Sequence, residues 1–212
     1  MTPLAPTPLP TVLAWAGMRR DAGVAALFAL DAQLGEIVRT TRTPIVGQMR
    51  LTWWHDAILA LDHAPPPAQP VLRALAAGVL PHGVAGASLA DMIDGWEIVL
   101  DDDAPDDDAL VRYAAARGGV LFAAMSRVVG GEPGAADVAA GRCWALADLA
   151  AHVADPTLAR RAATAALAEP IKGASRFARA LSSDAALAAR GRGSPGSPRR
   201  AAGVLAAVLR RR

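Results

Sequence analysis

The sequence predicts an all-α protein, and three observations lead to this fold class. Apolar side chains recur every three or four residues along most of the chain, which is the spacing of one helix face. Proline and glycine clusters interrupt this spacing where helices would end, and HAPPPAQP at 63–70 is the clearest of them. No stretch alternates apolar and polar residues as a half-buried strand would.

The most regular stretch runs from Thr43 to Asp62 and predicts a helix with Pro44 at its first position. It carries two apolar stripes side by side: Val46, Met49, Trp53 and Ala57 form the first, and Leu51, Trp54, Ile58 and Leu61 form the second. Because both stripes have helical spacing, we expect this helix to lie at the centre of the fold with neighbours on two sides. We therefore expect Trp53 to be buried and Trp54 to contact a different helix.

Arg50 falls on the first stripe, between Met49 and Trp53. If that face is buried, the guanidinium needs an anionic ligand or partner, because an unpaired buried charge is costly. The alternative is an arginine whose aliphatic stem lies on Trp53 while its guanidinium reaches solvent. The spacing leaves both interpretations open.

Further helices are predicted at 11–20, 21–41, 71–79, 88–100, 109–129, 135–154, 157–167, 171–189 and from 201 onward. Ser88, with Asp91 three residues later, predicts the capped start of one of them. The acidic run at 101–108 fits no calcium loop and is predicted to be a solvated turn before a helix N-terminus. The chain is therefore divided into a proline-rich arm at 1–10, a helical domain at 11–189, a flexible linker at 190–200 and a basic C-terminal helix at 201–212.

The composition excludes several classes of protein. Lysine and arginine number 22 against 20 acidic residues, so the net charge of +2 gives no field that favours nucleic acid. Cys143 is the single cysteine, which excludes an internal disulfide framework and a cysteine-rich metal site. The dominance of alanine and arginine over a single lysine indicates a GC-rich bacterial gene. The N-terminus lacks a signal-peptide pattern and no run of about 18 apolar residues occurs, so a cytoplasmic location is expected.

Four segments in order carry a resemblance to a known family: ALFALDAQLGEIV, GQMRLTWWHDAI, DMIDGWEIVLD and LVRYAAARGGVLFAAMSRVVG. Together, over roughly residues 25–155, they resemble the squalene/phytoene synthases. The resemblance implies the isoprenoid synthase fold, an antiparallel helical bundle around a deep apolar cavity. Compared with that fold, the chain is shortened in its C-terminal third.

The resemblance also implies a chemistry in which two aspartate-rich motifs hold Mg²⁺ ions that bind a diphosphate leaving group. The first motif should place aspartates at 35 and 39 and the second at 152 and 156, but Gly35, Arg39, His152 and Pro156 stand there. Asp31, Glu36, Asp148 and Asp155 are the carboxylates left as catalytic candidates, and Arg39, Arg50, Tyr113 and His152 are the candidate ligand-binding residues.

One group among these residues has metal-binding chemistry. Asp148, His152 and Asp155 share a predicted helix face and are chemically capable of holding a divalent ion. A polar face without a metal is the favoured alternative, so no metal ligand is assigned.

The loss of both motifs resembles the branch of the family that contains the mitochondrial respiratory complex I assembly factor. That resemblance implies a pseudoenzyme without a cofactor, which acts by binding a protein partner or an isoprenoid lipid. The alternative is an active Mg²⁺-dependent prenyltransferase that condenses farnesyl or geranylgeranyl diphosphate.

The C-terminal segment SPRRAAGVLAAVLRRR predicts a helix with Val204, Leu205, Val208 and Leu209 on one face between two arginine clusters. Three interpretations remain: the segment packs on the bundle as its last helix, it contacts a membrane through its basic residues, or it binds a helix of a protein partner. The second would give weak peripheral attachment to the inner membrane.

Overall fold

Helices form all the regular secondary structure in the part of the chain that the computed structural model describes, which comprises residues 7–18, 21–100 and 105–209. No strand occurs within those ranges, so the all-α prediction is confirmed. Within the same ranges, no helix is both long and apolar enough to cross a bilayer. The chain divides into two units, one made of residues 20–133 and the other of residues 1–19 with 134–212. The predicted division into arm, domain, linker and tail stays a prediction.

The unit at 20–133 contains seven of the α-helices in its described residues. They are α2 (Ala22–Thr40), α3 (Pro44–Ala60), α4 (Pro70–Gly78), α5 (Gly86–Ala90), α6 (Met92–Ile98), α7 (Asp107–Tyr113) and α8 (Val120–Val128). A 3₁₀ turn at Leu80–His82 precedes α5, and a π-helical segment at Ala114–Gly119 joins α7 to α8. The run predicted as one helix at 109–129 is therefore helical throughout, with a wider turn in its middle. Asp106 caps α7 by accepting from the Ala109 amide at 2.7 Å.

Two glycines determine how closely α2 and α4 approach each other. A Cβ atom at Gly23 would come within 2.2 Å of the Gly78 carbonyl oxygen, and one at Gly78 would meet the Gly23 backbone at 3.2 Å. Only a residue without a side chain fits at Gly23, because the atom it would meet belongs to the backbone. This contact holds α2, the helix that carries the first motif positions, against α4.

The prediction that α3 is central and covered on two sides is wrong. Its second stripe is buried: Leu51, Trp54, Ile58 and Leu61 are each at most 7% exposed. Its first stripe lies at the surface, where Trp53 is 51% and Met49 is 68% exposed. Neighbouring helices α2, α5 and α6 contact α3, yet they leave the first stripe open. Apolar spacing identifies a stripe that can be buried, but it does not show whether another element covers it.

Arg50 is exposed along with the first stripe, and its Nη1 donates to the Thr41 hydroxyl at 3.3 Å. The premise that it lies on a buried face is therefore wrong, and no desolvation cost requires it to have an anionic ligand. Of the two interpretations, the solvent-reaching guanidinium agrees with this exposure.

A second correction concerns the start of α5. The helix begins at Gly86 rather than at Ser88, and its cap comes from a distant residue. Asp62 accepts from the Gly86 amide at 2.6 Å and from the Ala87 amide at 3.0 Å. These two hydrogen bonds lower the pKa of Asp62 below its usual value. The Ser88 capping box was a local pattern, whereas the actual cap joins residues 24 positions apart in the sequence.

The other unit contains α1 (Leu9–Ala16), α9 (Ala135–His152), α10 (Pro156–Ala168), α11 (Arg176–Ala189) and α12 (Pro198–Leu209). Helix α9 lies in its middle, with α10 and α11 packed against it. Alanines dominate the buried faces of these helices, so the backbones approach closely. Helix α11 begins at Arg176, five residues later than predicted, because residues 171–174 form turns.

A buried polar cluster joins the start of the described chain to α11 and α12. Asp184 accepts from the Thr7 amide at 2.8 Å and from the Thr7 hydroxyl at 2.5 Å. The same carboxylate lies 3.1 Å from Nε of Arg200, whose side chain is completely buried. Burial lowers the pKa of Arg200, while the Asp184 charge acts in the opposite direction.

The packing interpretation of the C-terminal helix is confirmed for two of its four aliphatic residues. Val204 and Val208 are buried where α12 packs on α11, whereas Leu205 and Leu209 are exposed. Arg200, one of the bracketing arginines, is buried in the cluster with Asp184. Arg210, Arg211 and Arg212 lie outside the described residues.

We expect Cys143 to be unreactive in the folded protein. The thiol is 1% exposed, and burial, with a smaller contribution from the Glu169 charge, raises its pKa to about 12. Only the thiolate reacts with a disulfide reagent, so Ellman's reagent at mildly alkaline pH should label the thiol only after denaturant unfolds the chain. Rapid labelling of the whole native sample would contradict this prediction.

Candidate functional site

The positions expected for the first motif, 35 and 39, lie on α2, and the carboxylates near them have different surroundings. Asp31 faces the interior and is 6% exposed. Glu36 lies at the surface, where its carboxylate is 3.2 Å from Nη2 of Arg39, and both side chains are more than half exposed. The two catalytic candidates on this helix, Asp31 and Glu36, therefore differ in exposure and in partner.

Asp31 forms a bidentate ion pair with Arg117, which comes from the π-helical segment. Nε of Arg117 is 2.8 Å from Oδ1 of Asp31, and Nη2 is 2.9 Å from Oδ2. Arg117 is 3% exposed, so the pair lies out of solvent. The third guanidinium nitrogen, Nη1, donates to the hydroxyl of Tyr113. Parallel hydrogen bonds from a planar guanidinium to a carboxylate fix both groups in position, and here they also neutralise the charge of each.

Trp96 of α6 covers this ion pair. The guanidinium carbon of Arg117 lies 4.2 Å from the centre of the indole, and the Tyr113 ring meets the indole edge-on at 6.3 Å. The far edge of the indole lies against α2 at Gly35. A Cβ atom at Gly35 would come within 2.8 Å of the Trp96 ring and within 2.8 Å of Nη1 of Arg39. The Trp96 ring therefore occupies the space beside position 35. It fits there because Gly35 has no side chain.

An open groove of about 520 Å³ lies in the same unit. It is lined by Gln48 of α3, by Asp94, Glu97 and Ile98 of α6, by Arg112 of α7, and by Ala115 and Ala116 of the π-helical segment. Two carboxylates and a guanidinium thus share one open concave surface with apolar side chains, an arrangement that offers both charged and apolar contacts to a partner.

The second motif positions lie at the end of α9 and the start of α10. Nδ1 of His152 is 2.8 Å from the Asp148 carbonyl oxygen and 3.3 Å from the Asp148 carboxylate, and the His152 side chain is 58% exposed. Asp155 caps α10 by accepting from the Thr157 and Leu158 amides, each at 2.9 Å. Those two hydrogen bonds lower the pKa of Asp155 below its usual value. The carboxylate of Asp155 therefore has a local structural role.

A family model described as squalene/phytoene synthase matches residues 9–164, which is most of the chain. The chain belongs to the squalene/phytoene synthase family. Searches of curated proteins and of solved structures found no significant match.

The residues at the positions where the resemblance places the two motifs do not fit Mg²⁺. Gly35 has no side chain and Arg39 is a cation, whereas Mg²⁺ requires oxygen ligands. His152 offers an imidazole that already contacts Asp148, and Pro156 offers no side-chain ligand. Within the described ranges, no group of three or more His, Cys, Asp or Glu side chains is placed to hold a metal ion.

Two residues of the site were missed in the sequence. Arg117 and Trp96 occupy the interior next to α2, yet neither was among the candidates. A signal for Arg117 was available, since the stretch YAAARGG places an arginine among small apolar residues, one helical turn after Tyr113. A buried arginine in such a stretch requires an anionic partner, and Asp31 is the buried carboxylate that supplies it.

Proposed function

We propose that this squalene/phytoene synthase family member is non-catalytic and acts by binding a protein partner. The observation that carries the proposal is the contact of the Trp96 ring with Gly35. Where a synthase of this family would direct a carboxylate toward metal and diphosphate, this chain has an indole and a neutralised Asp31–Arg117 pair. Diphosphate carries several negative charges, and the exposed Arg39, which is already paired with Glu36, offers little compensation.

The groove favours a protein over an isoprenoid lipid as the bound partner. An isoprenoid chain needs an apolar channel that removes it from water. The groove is instead open to solvent, and the charged Asp94, Glu97 and Arg112 lie beside its apolar lining residues, a mixture that suits the side chains of a protein surface. A non-catalytic protein-binding role also agrees with the resemblance to the complex I assembly branch, and we extend that type of function to this chain.

Ligand-dependent thermal stability tests the non-catalytic part of this proposal. A ligand that binds only the folded state raises the melting temperature. We expect farnesyl diphosphate to leave the melting temperature unchanged, with or without Mg²⁺, and farnesol to leave it unchanged as well. A rise that requires both farnesyl diphosphate and Mg²⁺ would support the prenyltransferase alternative, and a rise with farnesol would support isoprenoid binding.

Site-specific photo-crosslinking tests the partner. A photo-reactive residue in place of Ala115, on the groove, should give one discrete adduct in cells of the source organism. The matched control is the same residue in place of Val111, which is 63% exposed on α7 and is not among the lining residues. The absence of an adduct from position 115, or equal adducts from both positions, would contradict the groove as the binding surface.

A further inference from the structure

Helix α3 exposes four large apolar side chains: those of Val46, Met49 and Trp53 from its first stripe, and that of the neighbouring Ile45. Ile45, Val46, Met49 and Trp53 are 60%, 47%, 68% and 51% exposed. We call these four residues the α3 strip. From Ile45 to Trp53 it spans about 12 Å along the helix axis, at about 1.5 Å per residue. Such a contiguous patch indicates a contact surface, because isolated exposed apolar residues are common but clusters are not.

Arginines lie at the N-terminal end of the α3 strip. Arg42 and Arg50 are both exposed, and Arg50 reaches back to Thr41. Arg39 of α2 is also exposed, but its guanidinium is paired with the carboxylate of Glu36. The nearest acidic residue on α3 itself is Asp56, one turn beyond Trp53, and it lies 3.3 Å from His55. The strip is therefore basic at the end where Ile45, Val46 and Met49 lie.

We propose that the α3 strip is a contact with an anionic lipid bilayer, with its apolar side chains at the depth of the headgroups. The strip is the outward ridge of one helix, which suits a flat surface. Tryptophan prefers the membrane interface because its ring is amphipathic. Arg42 and Arg50 can reach lipid phosphates from the flank, and basic residues beside an apolar helix face are typical of helices that lie in the interface plane. This inference goes beyond the proposed function and does not depend on it.

The C-terminal helix is the competing membrane contact, and its packing disfavours it. Val204 and Val208 are buried against α11, so half of its aliphatic face is occupied. Arg200 is buried beside Asp184 and is not free to meet lipid. Leu205 and Leu209 remain exposed and provide the comparison for the experiment.

Vesicle co-sedimentation of the full chain tests the proposal. We expect binding to vesicles that contain phosphatidylglycerol, weaker binding as salt rises, and little binding to vesicles of phosphatidylcholine alone. Trp53→Glu and, as a second variant, Met49→Glu should each weaken binding by about tenfold or more, because each places a charge in the interface. Arg50→Gln should weaken it about fivefold, which corresponds to the loss of one basic residue near an anionic surface.

Two matched variants serve as controls. Val111→Glu introduces the same charge at an exposed apolar residue outside the strip, and Leu209→Glu introduces it on the C-terminal helix. Both should bind vesicles as the wild-type protein does. The proposal is overturned if the wild-type protein does not bind, if Trp53→Glu binds as well as the wild type, or if Leu209→Glu abolishes binding. If the wild-type protein has twice the mass of the 21.8 kDa monomer and the Trp53→Glu variant has the monomer mass, the strip is instead a contact with a second copy of the chain.

Tryptophan fluorescence supplies an independent measurement. Among the tryptophans whose side chains the structure describes, Trp53 is exposed while Trp54, Trp96 and Trp144 are buried. Vesicles that carry brominated acyl chains should therefore quench part of the emission of the wild-type protein. The quenching should be lost in Trp53→Phe, which keeps an apolar side chain on the strip. Equal quenching in Trp53→Phe and the wild type would show that this residue is not in the bilayer.

Discussion

Replacing Arg117 with methionine should lower the free energy of unfolding by about 3–5 kcal/mol, the usual cost of removing one partner of a buried ion pair. The substitution leaves Asp31 at 6% exposure without the guanidinium that neutralises it. It also removes the donor to Tyr113 and the cation over the Trp96 ring. Chemical denaturation followed by circular dichroism measures the loss.

Two further variants separate the ion pair from general packing effects. Arg112→Met removes an exposed arginine from the same helical run and should change the free energy of unfolding by less than about 0.5 kcal/mol. The double variant Asp31→Leu with Arg117→Met removes both charges and should recover much of the loss, since an apolar replacement of a buried pair is often neutral. If the single Arg117 variant is as stable as the wild type, the pair does not organise the interior of this unit.

Replacing Asp184 with alanine should destabilise the other unit by a similar amount, about 3–5 kcal/mol. The carboxylate accepts two hydrogen bonds from Thr7 and lies 3.1 Å from Nε of the fully buried Arg200. Without it, Arg200 keeps its desolvation cost but loses its counter-ion, and the Thr7 donors lose their acceptor. Thermal or denaturant unfolding measures the change.

Asp91→Ala, in the unit at 20–133, is the control for removing a surface carboxylate, because Asp91 is exposed and its side chain makes no capping hydrogen bond at the start of α6. It should change stability by less than about 0.5 kcal/mol. A small effect of Asp184→Ala, close to that of the control, would contradict the role of the buried cluster in joining α11 to α12.

The all-α class could be predicted from the sequence, because it depends on local apolar spacing and on the breaks between helices. The loss of the two motifs at Gly35, Arg39, His152 and Pro156 stays a prediction. The sequence was insufficient for α3, because the two stripes look alike in spacing and only the tertiary neighbours decide that Trp54 is buried and Trp53 exposed.

The buried ion pair of the site could not be predicted in this way, because it joins residues that are distant in sequence. Asp31 and Arg117 are 86 positions apart, and Thr7 and Asp184 are 177 positions apart. No helical period relates such residues, so the spacing rules that predict faces and caps do not reach them. The same reason explains the cap of α5, where the distant Asp62 replaces the local Ser88.

Product analysis tests the proposed non-catalytic function most directly. The full chain is incubated with farnesyl diphosphate or geranylgeranyl diphosphate and Mg²⁺, and the extracted lipids are examined by mass spectrometry. With Trp96 against Gly35 and Arg117 on Asp31, we expect no squalene- or phytoene-type product above a control without protein. A condensed product that requires both the protein and Mg²⁺ would contradict the account.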